Sequence, residues 1–367
     1  MANSEIAEID TLLDSTGGSP ISGSSSLAAR GAIHDLLRGH GYNMPTVIAT
    51  AYGAWGPRTK RAIADFRTKY LPGTTGNDSV EKELLQALIT VPAFKPLCTR
   101  VYVTRVLDLA FTNNVKIACY VALGEGNGSL SVLCFNTDKA GLSAGMIQWA
   151  QRPERLHGLL KAFADDAALK VLMVAAFGSA TRVDELLAHT LKRVAASKVT
   201  GGVQPNGKPL PADASFDLTL GQWPAQFRAL FAHTAIQKAE VQLAATELAA
   251  LKADFDSVST APRGERLIAY LADVGNQFGT RAKDLFQTAI DAPGLPPIPP
   301  ATQAARDAFI ITEVTAAAKA RLTAIGKRLV DGKQKWSDTF IKSVVDGRES
   351  RANIFRKMQD LSDSVPN

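Results

Sequence analysis

The 367-residue sequence lacks the features that mark membrane proteins and secreted precursors. It contains no run of about 18 apolar residues, so we predict no membrane span. Its first ten residues include acidic side chains but no lysine or arginine, whereas a secretory signal places basic residues before an apolar core. We therefore expect no classical export signal, so any work outside the cytoplasm requires another delivery route.

The sequence is also poor in metal-binding spacings and in clustered charge. Its five histidines lie apart, without the short spacings of a zinc site, and we predict neither a metal nor a cofactor. Lysine and arginine are scattered, with no zinc-finger or RNA-recognition signature, so we predict no nucleic-acid partner. The net charge of +6 still favours an anionic partner, such as a cell-wall polymer or an acidic lipid.

Only three cysteines are present, Cys98, Cys119 and Cys134, and each lies in or beside an apolar segment. An odd number in such surroundings is typical of buried thiols and not of a disulfide framework. A disulfide between Cys119 and Cys134 stays open as the alternative.

The N-terminal part of the sequence divides into an arm and a helical module. Residues 1–26 hold a short amphipathic piece and then a Gly/Ser/Pro-rich stretch, a composition typical of a flexible arm. From residue 27 onward, apolar spacing predicts three helices: one ends at Gly39 and Gly41, one begins at Pro57, and one runs over 79–88. A linker is expected after this module, at residues 90–98, which contain two prolines.

The order of these helices and turns resembles the three-helix type of peptidoglycan-binding domain. The matching positions are Gly41-Tyr42, Gly53, Trp55-Gly56, Thr59, Ala62-Ile63 and Phe66. The sequence departs from the family at Tyr52, where Asp is usual, at Arg67, where Gln is usual, and in a longer insert before Gly53. The resemblance implies a module that binds the bacterial cell wall.

Wall binding by this module implies ligand contacts from four residues: Tyr42, Trp55, Arg58 and Thr59. The alternative interpretation is that Trp55 is a core residue beside Phe66. In that case the ligand-binding groove is lined by Arg58, Thr59 and the backbone of the neighbouring turn.

A second informative stretch covers residues 119–151. An apolar helical run ends in Gly124, Glu125 and Gly126, an alternating segment follows over 129–135, and residues 145–148 read Gly-Met-Ile-Gln. This arrangement resembles the lysozyme-like superfamily of goose-type lysozymes, lytic transglycosylases and chitosanases. In those enzymes a catalytic glutamate closes a helix, a small β-region follows, and a Gly-Leu-Met-Gln-like run lines the sugar cleft. Gly126 stands where transglycosylases often have serine.

The resemblance makes Glu125 the general acid of glycoside hydrolysis, a reaction that needs a carboxyl protonated near neutral pH. The negative end of a helix and apolar neighbours both favour that form. Asp138 is a candidate base that activates water, or else only a turn residue. Ser143 is a candidate to position that water or the 6-hydroxyl of the substrate. Gln148 and Trp149 are candidates to hold and stack sugar, with a core position as the alternative for Trp149.

Further helices are predicted after residue 151, and one of them bears a polar stripe. Tyr270, Asp273, Asn276 and Gln277 recur at helical spacing in an otherwise apolar helix. A polar stripe on a buried helix must be hydrogen-bonded or line a cleft. Because chitosanase-like enzymes use a comparable helix near the cleft, the resemblance implies a substrate-binding role for these four residues. Structural hydrogen bonding is the alternative.

These patterns together predict a mainly α, monomeric protein with a flexible arm (1–26), a peptidoglycan-binding domain (27–90) and a larger lysozyme-like catalytic domain with a small β-hairpin (99–367). The predicted function is a peptidoglycan-degrading glycosidase, either a muramidase or a lytic transglycosylase. It would be made in the cytoplasm and delivered to the cell wall as a phage endolysin or a secreted effector. Two alternatives are a chitosanase-like hydrolase of another amino-sugar polymer and a non-catalytic wall-binding phage or effector protein.

Overall fold

The computed structural model describes residues 7–46, 49–92, 96–135, 141–151, 155–191, 218–219, 221–297, 302–330 and 333–357. Over these residues the protein is mainly α-helical with small antiparallel sheets, which confirms the predicted fold class at that level. No helix in the described ranges is both long and apolar enough to cross a membrane.

Most helices of the described residues match predicted ones, but the helix predicted over 99–111 is represented by a π-helical turn, Tyr102–Val106, and the helix predicted over 224–256 is two helices. A 3₁₀ turn, Gly279–Arg281, also lies between helices. Their bounds are α1 Ala7–Asp14, α2 Leu27–Gly39, α3 Pro57–Tyr70, α4 Lys82–Thr90, α5 Asn113–Gly126, α6 Arg155–Asp165, α7 Ala167–Phe177, α8 Ala180–Leu191, α9 Trp223–Phe231, α10 Thr234–Asp256, α11 Glu265–Phe278, α12 Ala282–Ile290, α13 Gln303–Lys327 and α14 Asp338–Lys357.

The strands are short and all their pairings are antiparallel. They form a pair of β1 (Ile21–Ser22) with β2 (Ser79–Val80), a three-stranded sheet in the order β3 (Leu133–Phe135), β4 (Leu142–Ala144) and β5 (Trp149–Ala150), and a pair of β6 (Leu329–Val330) with β7 (Lys333–Gln334).

The chain divides into two compact units that differ from the predicted domains. One contains Met1–Arg38, Tyr42–Leu88 and Thr246–Asn367, and the other contains Gly39–Gly41 and Ile89–Ala245. The division falls inside α10, and the predicted domain bounds stay a prediction. Continuous helical periodicity through α10 offers no local signal of such a boundary.

The stretch predicted as a flexible arm is folded where the structure describes it. Helix α1 buries Ile9 and Leu12, and the Glu8 carboxylate accepts the Ser26 N–H at 3.0 Å. Strand β1 pairs with β2, which places Ile21 opposite Val80 with both side chains buried. The composition did not indicate this fold because three buried apolar side chains, Ile9, Leu12 and Ile21, anchor a segment whose other residues are typical of a linker.

In the second unit, helices α6 to α9 pack around an aromatic cluster. The Phe177 ring meets the Phe227 ring edge-on at 5.3 Å, and the Arg182 guanidinium lies 3.8 Å from the Trp223 ring centroid. Helix α7 begins at an Asp166 side chain that accepts two backbone N–H groups and ends at Gly178, whose φ of +94° favours glycine. Helix α6 also packs against β5 of the three-stranded sheet.

Candidate functional site

Glu125 lies in the last turn of α5, as predicted. The helix begins at Thr112, whose side chain accepts the Val115 N–H, and ends at Asn127, which adopts a left-handed φ of 55°. The N–H of Gly128 then donates to the Ala122 carbonyl at 3.0 Å, which satisfies one of the last helical carbonyls. Most of α5 is buried on all sides, whereas Glu125 itself is half-buried. Glu125 therefore lies at the boundary between the buried core and the solvent.

Val132 connects the end of α5 to the turn between β4 and β5. A Cβ placed on Gly126 would lie 2.4 Å from the Val132 side chain, so glycine allows this close approach. The Val132 carbonyl in turn accepts the Gly145 N–H at 2.9 Å. Gly126, which follows the glutamate, and the Gly-Met-Ile-Gln run therefore adjoin the same residue, an arrangement that the sequence alone left unspecified.

The Gly-Met-Ile-Gln run forms a tight turn. The Gln148 N–H donates to the Gly145 carbonyl at 3.0 Å, and the Gln148 side-chain amide donates to the same carbonyl at 3.1 Å. Gly145 and Gln148 both have positive φ, at 79° and 56°. Met146 and Ile147 are fully buried and Gln148 is half-buried. Gln148 is thus the one member of this turn whose side chain is partly accessible.

The three-stranded sheet has one buried face and one more open face. Directly paired residues lie on the same face, so Ser143 shares a face with its partners Cys134 and Ala150. Cys134 is exposed, and Ser143 and Ala150 are half-buried. Trp149 lies on the opposite face, where it is 0% exposed. Ser143 is consequently accessible, whereas the Trp149 ring is a core side chain that offers no platform for a sugar.

Residues 141–145 also have the Gly-x-Ser-x-Gly spacing of a serine-hydrolase nucleophile elbow. Such an elbow requires the serine on a sharp turn between a strand and a helix. Here Ser143 is the middle residue of β4, paired on both sides, and the chain continues through a turn into β5. The backbone context of a nucleophilic serine is missing.

The cysteines and Asp138 complete the account of this region. Cys98 and Cys119 are buried, as predicted, but Cys134 is exposed, and no disulfide joins the three. Asp138 and the predicted turn at 136–138 lie outside the described residues. Among the residues that the structure describes, no group of three or more His, Cys, Asp or Glu side chains is arranged to hold a metal ion.

Glu240 is a residue near this site that the sequence did not indicate. It lies on α10 with its side chain 0% exposed, and its Oε1 accepts the backbone N–H of Met146. Burial raises the pKa of the Glu240 carboxyl well above its ordinary value, although the hydrogen bond from Met146 opposes that shift. A single acid 94 residues from its partner carries no local signal in the sequence.

The polar stripe on α11 is part of a buried structural network in the first unit. The Tyr270 hydroxyl bonds to the Thr315 hydroxyl at 2.7 Å, and the Asp273 carboxylate pairs with Arg348 at 2.7 Å and with Arg351. Gln277 accepts a hydrogen bond from Arg348 at 2.6 Å, and Asn276 is half-buried. Tyr270 and Asp273 are 0% exposed, so these two residues correspond to the structural alternative and not to a substrate-binding face.

The N-terminal module has a surface pocket of about 320 Å³ beside α3. Its lining includes two of the predicted wall-binding residues, Tyr42 and Arg58, together with Arg61 and Asp65. Partial burial and the nearby Asp65 carboxylate raise the pKa of the Tyr42 phenol. Two guanidinium groups and a phenol are donors that suit a carboxylate or a polar sugar chain.

The other two predicted wall-binding residues have structural partners. Thr59 is 1% exposed, donates to the Ala54 carbonyl at 2.7 Å and bonds to His34 at 3.1 Å. His34 Nδ1 accepts the Gly53 N–H, and burial lowers the pKa of His34 to about 4, so this imidazole is neutral at pH 7. The Trp55 indole N–H donates to the Asp78 carbonyl at 3.0 Å.

Two departures from the family pattern also have structural explanations. The Tyr52 hydroxyl donates to Asp35 at 2.8 Å, and its ring packs so closely on Gly31 that a Cβ there would lie 2.5 Å from it. The Arg67 guanidinium donates to the Ser79 carbonyl at 3.1 Å and pairs with Glu81. Tyr52 and Arg67 therefore both have partners inside the module, and neither lines the pocket.

Compared with protein-family models, curated proteins and solved structures, the chain matches none of them.

Proposed function

We propose that this protein cleaves the glycan backbone of bacterial peptidoglycan, with Glu125 as general acid. The observation that carries the proposal is the placement of Glu125. Glu125 is a half-buried residue at a helix end, and the next residue, Gly126, lies against Val132, which also anchors the 145–148 turn. The accessible face of a small sheet follows in the chain. This combination of one acid, a small sheet and a polar turn residue is what the lysozyme-like resemblance implies.

In the proposed mechanism, Glu125 protonates the glycosidic oxygen as the bond to the anomeric carbon breaks. The positive charge that develops on the sugar ring is oxocarbenium-like. Gln148, at the edge of the turn, holds a sugar hydroxyl so that the bond stays in line with the carboxyl. When the substrate hydroxyl attacks, the ionised Glu125 accepts its proton, which restores the acid. When water attacks with Asp138 as base, Asp138 takes that proton and solvent reprotonates Glu125.

Two nucleophiles are compatible with this scheme. With Asp138 as base, water attacks from the opposite side and the product has a reducing end. Without such a base, the 6-hydroxyl of the same sugar attacks and gives an anhydro end. Ser143 lies on the accessible face of the sheet and, in either route, orients the attacking hydroxyl.

The N-terminal module holds the substrate in this proposal. Its pocket combines Arg58, Arg61 and Tyr42 beside a single acid, Asp65. Peptidoglycan carries carboxylates on its stem peptides, and paired arginines bind carboxylates through several charge-assisted hydrogen bonds. Attachment near the cleavage site raises the effective substrate concentration at the catalytic centre.

The experiment that tests the proposal is mass spectrometry of fragments released from purified sacculi. Glycan fragments with new reducing or anhydro ends are the expected products, and their end groups identify the nucleophile. Release of peptides without glycan cleavage, or no release at all, contradicts the proposal. A parallel digestion of chitosan, assayed by its reducing ends, distinguishes a hydrolase of another amino-sugar polymer.

A further inference from the structure

Glu240 lies on the buried face of α10, where a carboxyl without a hydrogen-bond partner is energetically unfavourable. Its neighbours on the inner face of α10, Val241 and Ala244, are fully buried, and Glu240 is itself 0% exposed. One turn earlier, Gln237 is also buried, and its amide has a partner at each end: the oxygen accepts from the Tyr102 hydroxyl at 2.8 Å and the nitrogen donates to the Phe231 carbonyl at 2.7 Å. Burying a carboxyl costs free energy unless a specific hydrogen bond compensates.

That hydrogen bond is to the backbone of the 145–148 turn. Within the turn, the Gly145 carbonyl accepts from Gln148, but the buried N–H of Met146 has no acceptor inside the turn. A buried backbone N–H needs a partner, and Oε1 of Glu240 provides it. The same oxygen would lie 2.6 Å from a Cβ on Gly145, so the carboxyl also explains why residue 145 is glycine.

The second carboxyl oxygen, Oε2, is buried and has no hydrogen-bond partner within the described ranges. The titratable group that faces Glu240 is the thiol of Cys98, which bonds to the thiol of Cys119, and burial raises the pKa of the Cys98 thiol. Burial raises the pKa of the Glu240 carboxyl, which favours its protonated form. The interaction that the structure shows is one hydrogen bond, from the Met146 N–H to Oε1.

We infer that Glu240 is a positioning residue of the proposed catalytic centre: its side chain fixes the 145–148 turn relative to the end of α5. This inference rests on the proposed function. The turn connects to Glu125 through Gly145 N–H, the Val132 carbonyl and the contact of Val132 with Gly126. Displacement of reacting groups by about 1 Å can slow an enzyme about 100-fold.

Two substitutions separate this role from general stabilisation. Glu240→Gln keeps an acceptor oxygen at the same distance and lacks an ionisable proton, so we expect turnover on purified sacculi within about twofold of wild type. Glu240→Asp keeps the carboxyl but withdraws it by one methylene from Met146 N–H. We expect at least a tenfold fall in maximal turnover with Asp, and sacculus binding unchanged because the N-terminal module is intact.

Amide hydrogen exchange over residues 145–151 is the second readout. Met146 should exchange faster in Glu240→Asp than in Glu240→Gln or wild type. Equal exchange and equal turnover in Glu240→Asp and wild type overturn the inference, as does a Gln variant as impaired as the Asp variant. If instead Glu125→Gln retains lysis, the proposed function fails, while the exchange data still establish whether Glu240 holds the turn.

Discussion

Asp273 shows how one polar residue is stabilised inside an apolar helix face. Burial on its own raises the pKa of this carboxyl, but Arg351 and Arg348 outweigh burial and hold the pKa below its ordinary value. The group is therefore ionised at neutral pH. Because its folded-state pKa is depressed, its contribution to stability is present above the unfolded-state pKa of about 3.9 and is lost as pH falls through the folded-state pKa.

The substitution Asp273→Asn should lower the free energy of unfolding at pH 7 by about 3–5 kcal/mol, because two guanidinium groups then lose their buried partner. The difference in stability between this variant and wild type should shrink in acid, where the wild-type carboxyl is protonated. Urea unfolding at pH 7 and in acid measures both effects.

The matched control is Asp284→Asn, whose carboxylate faces Arg281 at 3.6 Å with both side chains well exposed. It should change stability by less than about 0.5 kcal/mol. Equal unfolding midpoints for Asp273→Asn and Asp284→Asn at pH 7 would refute the importance of the network.

At the scale of single elements, local patterns in the sequence were sufficient to predict most of the helices. Apolar spacing predicted most helices from α5 onward within a few residues, although α9 and α10 were predicted as one helix. Pro57 and Gly178 mark helix ends through backbone preferences that depend only on the residue itself. The helix end at Glu125 was predicted for the same reason. Exposure was predicted less well: Trp149 is buried and Cys134 exposed, because both depend on which face of the sheet meets the core.

The turn between β4 and β5 gives a prediction at this scale. Gly145→Ala should reduce turnover on sacculi at least about tenfold, because Gly145 has a φ of +79° and a Cβ would lie 2.6 Å from Glu240 and 2.9 Å from Trp149. Gly158→Ala is the control: no atom lies within 4 Å of a Cβ there. Because Gly158 lies in the interior of α6, the change to alanine should raise the free energy of unfolding slightly, by up to about 1 kcal/mol. Wild-type turnover by the Gly145 variant would argue against the turn as part of the site.

The accessible face of the same three-stranded sheet gives a second prediction at the scale of single elements. Cys134 lies opposite Ser143 and is exposed, whereas Cys98 and Cys119 are buried, so a bulky maleimide should react selectively at Cys134. The adduct should block sacculus lysis, and Cys134→Ser protein treated with the same reagent should stay active. Fully labelled wild-type protein that lyses at the unlabelled rate would place the substrate elsewhere.

At the scale of the whole molecule, long-range pairing limits what a sequence reveals. Asp273 and Arg348 are 75 residues apart, and Glu240 and Met146 are 94 apart. Neither pair produces a periodic pattern in the sequence, because a single residue on each element makes the contact. The pairing of β1 with β2 was missed for the same reason.

The N-terminal module gives the prediction that belongs to this scale. In a Glu125→Gln background, Arg58→Ala with Arg61→Ala should weaken sacculus binding about tenfold or more, a loss of about 1.4 kcal/mol. The control removes the same charge outside the pocket, at the exposed Lys69 and Lys283. Co-sedimentation with sacculi measures both. Equal binding by the two double variants would mean that net charge, and not the pocket, accounts for attachment to the cell wall.

The most direct test of the central claim is the turnover of Glu125→Gln on purified sacculi, compared with wild type and with Glu185→Gln. Glu185 is an exposed helix residue beside Arg182 and serves as the matched control. Glutamine keeps the shape of Glu125 but cannot donate the proton, so lysis should fall at least about 100-fold while sacculus binding and melting temperature stay unchanged. Lysis by Glu125→Gln at the rate of wild type and Glu185→Gln would contradict the account.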